Sequence, residues 1–301
     1  MKAHLRLALL GASVVAAQPA ADPQTPVFGA RVDSVFIDAF VTRGGTSIRG
    51  LTARDFVLKD NGVAQPFDLV PVDSLPIRAL LVLDTSSSMS GTKLQRLGAA
   101  ALSFLTQLRP QDEAGLVSFS DEILWRVPLT TDRAVMTRAL SSLEAQGATS
   151  IYDALFTALI MPGSASRTLV VLFTDGEDNM SWLSERQVLH LVERSNALIH
   201  FVAARSADFE SGFVARSSSE ADHARLLRRF AKITGGSVIE VDSPERIEAA
   251  FSQIIERMKN RYVIRYTALG EPSPGWRKLE LKLVSMKGDV KGRTGYWVEK
   301  R

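Results

Sequence analysis

The sequence predicts an α/β fold: a doubly wound, mostly parallel sheet that is inserted in, or flanked by, a small all-β domain. In the middle of the chain, apolar runs of strand length alternate with amphipathic helical patterns. This alternation is typical of a parallel sheet covered by helices on both faces. On either side, apolar and polar residues alternate one by one between turn signals, which is typical of antiparallel strands.

We divide the chain into five parts on this basis. They are a signal peptide at 1–17, a disordered leader at 18–26, a β segment at 27–76, the α/β domain at 77–260 and a second β segment at 261–301.

The signal peptide is predicted from a basic start, a short apolar run and small residues at the expected cleavage site. Lys2 and Arg6 form the start, and Leu7–Val15 forms the run. This run is far shorter than the ~20 residues that span a bilayer. We therefore expect an exported protein, periplasmic or extracellular, with no integral membrane segment in its mature part. The alternative is a frayed helical N-terminus or a lipid-facing anchor.

Composition excludes two kinds of function. Residues 1–17 contain two basic and no acidic side chains, so removing them lowers the net charge from +3 to +1. A nucleic-acid partner is not expected, because it would require a concentrated basic surface. The chain has no cysteine, which excludes disulfide bonds and thiol catalysis. The composition leaves the oligomeric state open.

The two β segments carry strand and turn signals. Apolar residues alternate with polar ones from Val35 to Val41, and Asn61-Gly62 predicts a hairpin because both residues tolerate positive φ. Further strands are predicted at Phe67–Val72, Tyr262–Tyr266, Leu279–Val284 and Gly295–Val298, with turns at Glu271–Gly275 and Lys287–Asp289. Each segment is too short to close its own core, so we expect the two to pair. Two separate β modules are the alternative.

Strands and helices are predicted in turn through the α/β domain. The strands are Leu80–Leu83, Leu116–Phe119, Ile123–Val127, Leu169–Phe173, Ile199–Val202 and Val238–Val241. The helices follow apolar stripes at 94–108, 136–143, 152–160, 188–192, 226–233 and 247–258. Pro110 and Gly235-Gly236 mark two helix ends.

Carboxyl and hydroxyl side chains occur where these strands end. Asp84 follows the first strand, and Ser86 and Ser88 follow it at spacings of two. Thr149 lies in a Gly-led loop before a helix, and Asp175 follows another apolar strand. In open α/β sheets, ligands bind at the carboxyl ends of the strands. These hard oxygen donors suit Mg²⁺ or Mn²⁺, whereas Ca²⁺, a third candidate, usually recruits more carboxylates.

In order and context, the five residues resemble the metal-ion-dependent adhesion site of von Willebrand factor A (VWA) domains, and the resemblance covers Arg78 to about Asn260. It implies a Rossmann-like sheet. The segments GLTARDFVLKDNGVAQPF and RTGYWV are similar to recurring sequences of exported bacterial VWA-related proteins with flanking immunoglobulin-like segments. The resemblance therefore implies an immunoglobulin-like β domain as well.

The family pattern implies a role for each residue of the site. Ser86 and Ser88 would contact the cation through their hydroxyls, and Thr149 would do so directly or through water. Asp84 and Asp175 would act mostly through water. Because such an inner shell is largely neutral, the cation would keep its attraction for an outside carboxylate. The expected function is an exported, non-enzymatic adhesion module that binds an Asp or Glu of a protein partner.

Two other functions stay open. A metal-free structural module would use the same side chains only as turn and cap residues and as acceptors for loop amides. A haloacid-dehalogenase-like phosphatase also has an aspartate nucleophile after a strand. That family places a second aspartate two residues later as the proton donor, where this chain has Ser86.

Residues near the predicted site are assigned simpler roles. Glu177 and Asp178 are expected to be solvated loop acids, with an effect on the field near the cation as the alternative. Trp182 is expected to pack in the core, with a contact to a partner as the alternative. The long segment Arg205–Asp222 is a candidate specificity loop, with a disordered spacer as the alternative.

Overall fold

Strands and helices alternate through the middle of the chain in the computed structural model, as the sequence predicts. The structure describes residues 34–161, 168–204, 218–269 and 273–300, and of 218–220 only the backbone. All of these residues lie in one compact unit. The predicted signal peptide and leader, and residues 205–217 of the candidate specificity loop, lie outside the described residues.

Each predicted strand and helix of the α/β domain is present, with different bounds at some ends. The strands in chain order are β1 (Ser34–Arg43), β2 (Thr46–Ser47), β3 (Phe56–Asp60), β4 (Val63–Ala64), β5 (Asp68–Val70), β6 (Arg78–Asp84), β7 (Glu113–Phe119), β8 (Ile123–Thr130), β9 (Thr168–Thr174), β10 (Leu198–Ala204), β11 (Ser237–Val241), β12 (Arg261–Thr267), β13 (Gly275–Leu283), β14 (Asp289–Lys291) and β15 (Gly295–Val298). The α-helices are α1 (Thr92–Thr106), α2 (Arg133–Ser141), α3 (Ile151–Ile160), α4 (Glu185–Arg194), α5 (Ser218–Thr234) and α6 (Ile247–Lys259). No helix formed by the described residues has both the length and the apolar character needed to cross a bilayer.

The α/β domain is built on a six-stranded sheet in the order β11-β10-β9-β6-β7-β8. Neighbouring strands run parallel except β8, which pairs antiparallel with β7. The sheet is therefore mixed but mostly parallel, which confirms the predicted fold class of this domain. β6, the strand that ends on Asp84, lies in the interior of the sheet between β9 and β7.

Helices cover both faces of the sheet because its central strands present apolar side chains to both faces. In β6, Leu81 belongs to a core with Phe104 of α1, whereas Leu80 belongs to the core on the other face with Leu155 of α3. All four side chains are fully buried, and full burial of side chains of this size contributes about 1.5–3 kcal/mol each. This packing holds the strand ends, and the loops that follow them, in fixed positions.

The β segments before and after the α/β domain pair with each other in two antiparallel sheets. One has the order β14-β1-β12-β5, with β2 paired to β1, and the other has the order β15-β13-β3-β4. Strands from the two ends of the chain meet where β1 pairs with β12 and β14, and where β3 pairs with β13. The Asn61-Gly62 hairpin is confirmed, with φ values of 46° and 84°.

Three predicted details of these segments are wrong. Gly275 and Asp289 are each predicted to end a turn, but they begin the strands β13 and β14. The strand predicted at Phe67–Val72 is shortened to β5, because Pro71 has no N–H to donate and a 3-10 turn begins after it.

A buried polar cluster joins the two β sheets. The carboxylate of Asp60, at the end of β3, is fully buried. It accepts hydrogen bonds from the Tyr266 hydroxyl at 3.1 Å, the Tyr296 hydroxyl at 2.9 Å and Arg277 Nε at 2.9 Å. Burial is the main cause of a raised pKa at Tyr266, and the nearby Tyr296 and Asp60 raise that pKa further. The Tyr266 hydroxyl therefore stays protonated and can donate a hydrogen bond. Asp60 therefore ties the first β segment to the second.

Candidate metal site

The ends of β6 and β9 set the position of the candidate site. The two strands are parallel neighbours, in which Leu83 is paired with Phe173. Asp84 is the last residue of β6, and Asp175 follows directly after β9. Both acidic residues therefore lie at the carboxyl edge of the sheet.

The Asp84 carboxylate is fully buried and is held by neutral donors. Its Oδ1 accepts a hydrogen bond from the Ser86 N–H at 2.9 Å, and its Oδ2 accepts one from the Thr174 hydroxyl at 2.7 Å. Burial raises the pKa of Asp84 to about 6, although the hydrogen bonds from Ser86 and Thr174 act in the opposite direction. Charging a carboxylate here costs free energy, and a nearby cation would offset that cost.

A chain of oxygen atoms extends from Ser86 to Asp175. The hydroxyl oxygens of Ser86 and Ser88 are 3.0 Å apart, and Ser88 Oγ donates to Asp175 Oδ1 at 2.7 Å. The other oxygen of Asp175 accepts a hydrogen bond from Lys93 Nζ at 3.0 Å. Ser86 and Asp175 are buried and Ser88 is exposed, so the cluster reaches the surface on the Ser88 side.

Backbone hydrogen bonds tie the loop between α2 and α3 to the loop after β6. Gln146 N–H donates to the Thr85 carbonyl at 2.8 Å, and Ser87 N–H donates to the Gly147 carbonyl at 3.0 Å. Gly147 has a φ of 77°, and a Cβ there would lie 1.7 Å from Asp121 Oδ1. A larger residue would therefore strain the backbone and displace the loop.

Thr149, near the end of this loop, is buried beside the loop after β9. Its N–H donates to Asn179 Oδ1 at 2.9 Å, and its carbonyl accepts from the Asn179 N–H at 3.0 Å. A Cβ built on Gly176 would lie 3.7 Å from the Thr149 hydroxyl oxygen. The hydroxyl therefore faces the residue directly after Asp175.

The structure thus brings all five candidate residues to one edge of the sheet, on three neighbouring loops. The residues are Asp84, Ser86, Ser88, Thr149 and Asp175. Hydrogen bonds connect the two serines to the two aspartates, and Thr149 approaches from the third loop. Nowhere in the described ranges do three or more His, Asp or Glu side chains come together as a possible ion site. This candidate site is built from hydroxyls and two carboxylates instead.

Three further residues belong to the cluster but to none of the motifs in the sequence. They are Thr174, Asn179 and Lys93, which bond to Asp84, Thr149 and Asp175 respectively. The position of Lys93 could have been noticed in the sequence. Lys93 lies in the first turn of α1, where a positive charge is unfavourable because it opposes the helix dipole. A lysine at this position therefore indicates a nearby negative charge that compensates it.

Two predictions about the loop after β9 are wrong. Asp178 is not simply solvated, because its carboxylate accepts a hydrogen bond from the Tyr152 N–H at 3.0 Å. Trp182 does not pack in the core, because its side chain is 93% exposed. The Asp153 carboxylate accepts hydrogen bonds from the N–H groups of Trp182 and Leu183 at 2.9 and 3.0 Å, and Leu183 packs towards the core in its place.

Residues 79–177, which include all five candidate residues, match the family model of the von Willebrand factor type A domain. Inter-alpha-trypsin inhibitor heavy chain H4 of Bos taurus is 24% identical over 212 residues, which cover 66% of this chain and 23% of the heavy chain. This chain therefore spans about a quarter of that relative's length. A UPF0353 protein of Mycolicibacterium paratuberculosis is 26% identical over 259 residues, covering 76% of this chain and 73% of that protein.

One similar solved structure is titled von Willebrand factor type A from Catenulispora acidiphila. The alignment covers 89% of this chain and 74% of the chain in that structure. The TM-score is 0.52 at 13% identity, so this likeness concerns the fold alone. The match at 79–177 and the mostly parallel sheet that surrounds it agree. Residues 79–177 are therefore similar in sequence to the von Willebrand factor type A domain, and the sheet around them has the fold of such a domain.

Proposed function

We propose that this protein is an exported adhesion module that holds one divalent cation, Mg²⁺ or Mn²⁺, and binds a protein partner through it. Ser86 and Ser88 would contact the cation, Thr149 would do so directly or through water, and Asp84 and Asp175 would act mostly through water. An Asp or Glu of the partner would complete the site. The observation that carries the proposal is the oxygen cluster at the carboxyl edge of β6 and β9, inside the matched family segment.

The spacing of the two serines would let both hydroxyls hold one small cation. Mg²⁺ binds oxygen at about 2.0–2.1 Å, so two oxygens that hold the same ion lie within about 4 Å of each other. The Ser86 and Ser88 hydroxyl oxygens, which are joined by a hydrogen bond, are 3.0 Å apart. Ser88 can continue to donate its proton to Asp175, because a hydroxyl oxygen still has lone pairs for a cation.

The charges of the cluster support the binding of an acidic partner. A divalent cation would compensate the buried Asp84 carboxylate, which accepts hydrogen bonds only from neutral donors and is costly to charge. The hydroxyls add no negative charge, so the bound cation would still attract an outside carboxylate. That contact would be charge-assisted and partly desolvated, and one acidic residue of the partner would then dominate the binding free energy.

Exposed apolar side chains beside the cluster support a protein as the partner. Met180 and Trp182 are 52% and 93% exposed, and the Met180 N–H donates to the Thr149 carbonyl at 3.1 Å. The loop is held in place by Asp153 and Asp178, so little ordering free energy is needed when a partner covers it. Exposed Trp side chains of this kind are common binding hot spots.

Binding is favoured over phosphoryl transfer by the surroundings of Asp84. A nucleophilic aspartate must reach its substrate, but Asp84 is fully buried and both of its oxygens accept hydrogen bonds within the protein. The Ser86 hydroxyl is also too weak an acid to replace a carboxylic acid as the proton donor. The proposed function therefore includes no catalytic step.

Capture from the exported fraction of the source organism tests this function. The baits are the wild-type chain and Asp84→Asn, which removes the charge and keeps the side-chain shape. We expect at least one protein to be retained by the wild-type bait in Mg²⁺ and released by a chelator, and to be absent from the Asp84→Asn bait. Identical retention on both baits, with and without chelator, would contradict the proposal.

A third bait, Trp182→Ala, tests in the same experiment whether the exposed apolar side chains beside the cluster contact the partner. We expect it to retain the metal-dependent protein at least about tenfold less well, because hot-spot truncations cost about 2 kcal/mol or more. Leu269→Ala is the matched control, since Leu269 is 61% exposed but lies after β12, in the second β segment. If both variants lose retention of that protein equally, Trp182 is not part of the proposed interface.

A further inference from the structure

Lys93 places a positive charge directly on the candidate cation site. Its Nζ lies 3.0 Å from Asp175 Oδ2 and 3.1 Å from the Ser88 carbonyl oxygen. The lysine side chain is 17% exposed and the aspartate side chain 2%, so this ion pair is largely withdrawn from water. The same Asp175 carboxylate accepts the Ser88 hydroxyl through its other oxygen.

The position of Lys93 calls for a specific explanation. It lies in the first turn of α1, and a cation at a helix N-terminus opposes the helix dipole. A buried carboxylate without a compensating charge is strongly unfavourable. Lys93 supplies that charge to Asp175, and this contact offsets the unfavourable position of the lysine on the helix.

We propose that Lys93 is a built-in counter-charge that competes with the divalent cation, and this inference rests on the proposed function. Two carboxylates and one ammonium leave the cluster with one net negative charge, so a divalent cation binds against the repulsion of Lys93. The partner's carboxylate adds a second negative charge. Cation and partner therefore bind more tightly together than separately, and by linkage each raises the affinity of the other.

Mn²⁺ titration of the full chain, by calorimetry, tests the competition. Lys93→Met is expected to bind Mn²⁺ on the order of 10- to 100-fold more tightly than wild type, because a like charge a few ångströms from the cation is removed. Without metal, the same variant is expected to melt at a lower temperature, because Asp175 loses its counter-charge. Lys93→Arg keeps the charge and is expected to stay within about twofold of wild type.

Two further variants control for charge and for folding. Lys278→Met removes a lysine from β13 that is paired with Glu280, and it should leave the Mn²⁺ affinity unchanged. Lys93→Gln removes the charge but can still donate to the Ser88 carbonyl, so it provides the measurement if Lys93→Met does not fold.

The outcomes separate this inference from the proposed function. Unchanged or weaker Mn²⁺ binding by both charge-removing variants, with wild-type binding intact, would mean that Lys93 only positions Asp175, and would overturn the inference alone. Absence of Mn²⁺ binding by the wild-type chain would overturn both.

Discussion

Mg²⁺ or Mn²⁺ is expected to raise the melting temperature of the wild-type chain by about 5–10 °C at a cation concentration of 100 times Kd. A ligand that binds only the native state adds about 2.7 kcal/mol at that concentration. For chains of this size, each kcal/mol corresponds to about 2–4 °C. The increment should grow with the logarithm of cation concentration, and differential scanning calorimetry with and without chelator measures it.

Asp84 variants show whether this increment belongs to the candidate site. Asp84→Ala is expected to abolish it, but it also leaves the Ser86 N–H and the Thr174 hydroxyl without their acceptor. Asp84→Asn removes the negative charge while keeping an acceptor oxygen, so it should fold and also lose the increment. An Asp84→Asn protein that still gains the full wild-type increment would assign the stabilisation to another site.

Asp60→Ala is expected to lower the free energy of unfolding by about 3–5 kcal/mol, the usual cost of breaking a buried charged pair. The variant leaves Arg277 and the hydroxyls of Tyr266 and Tyr296 without their shared acceptor. These partners come from β12, β13 and β15, so the loss should fall on the contact between the two β segments. Urea unfolding measures the change.

Asp68→Ala is the matched control for this prediction. Asp68, on β5, pairs with Arg265 at 3.5 Å, but its side chain is 74% exposed, and exposed ion pairs contribute at most about 1 kcal/mol. A similar small change for Asp60→Ala would mean that the buried cluster does not hold the β segments together.

The central sheet could be predicted because burial on both faces leaves a plain signal in the sequence. A strand such as β6 has no polar residue between Ala79 and Leu83, and its end is marked by the first charged side chain. The order of elements then places the ends of β6 and β9 at one edge. Asp84 and Asp175 follow from this reasoning, because strand ends are fixed by the fold.

Contacts made by loop side chains could not be predicted in the same way. Trp182 has a large apolar side chain of the kind that usually packs in a core. Asp153 on α3 instead holds its backbone and leaves the indole in solvent. The partners of Asp60 come from strands more than 200 residues away in sequence. Such contacts depend on the tertiary arrangement, which local periodicity does not encode.

Direct counting of bound Mn²⁺ tests the central claim, that these oxygens hold a single cation. Electron paramagnetic resonance of free Mn²⁺ during titration gives the number bound per chain. We expect one ion per wild-type chain and none, over the same concentration range, for the double variant Ser86→Ala/Ser88→Ala. One ion bound with unchanged affinity by the double variant would contradict the account.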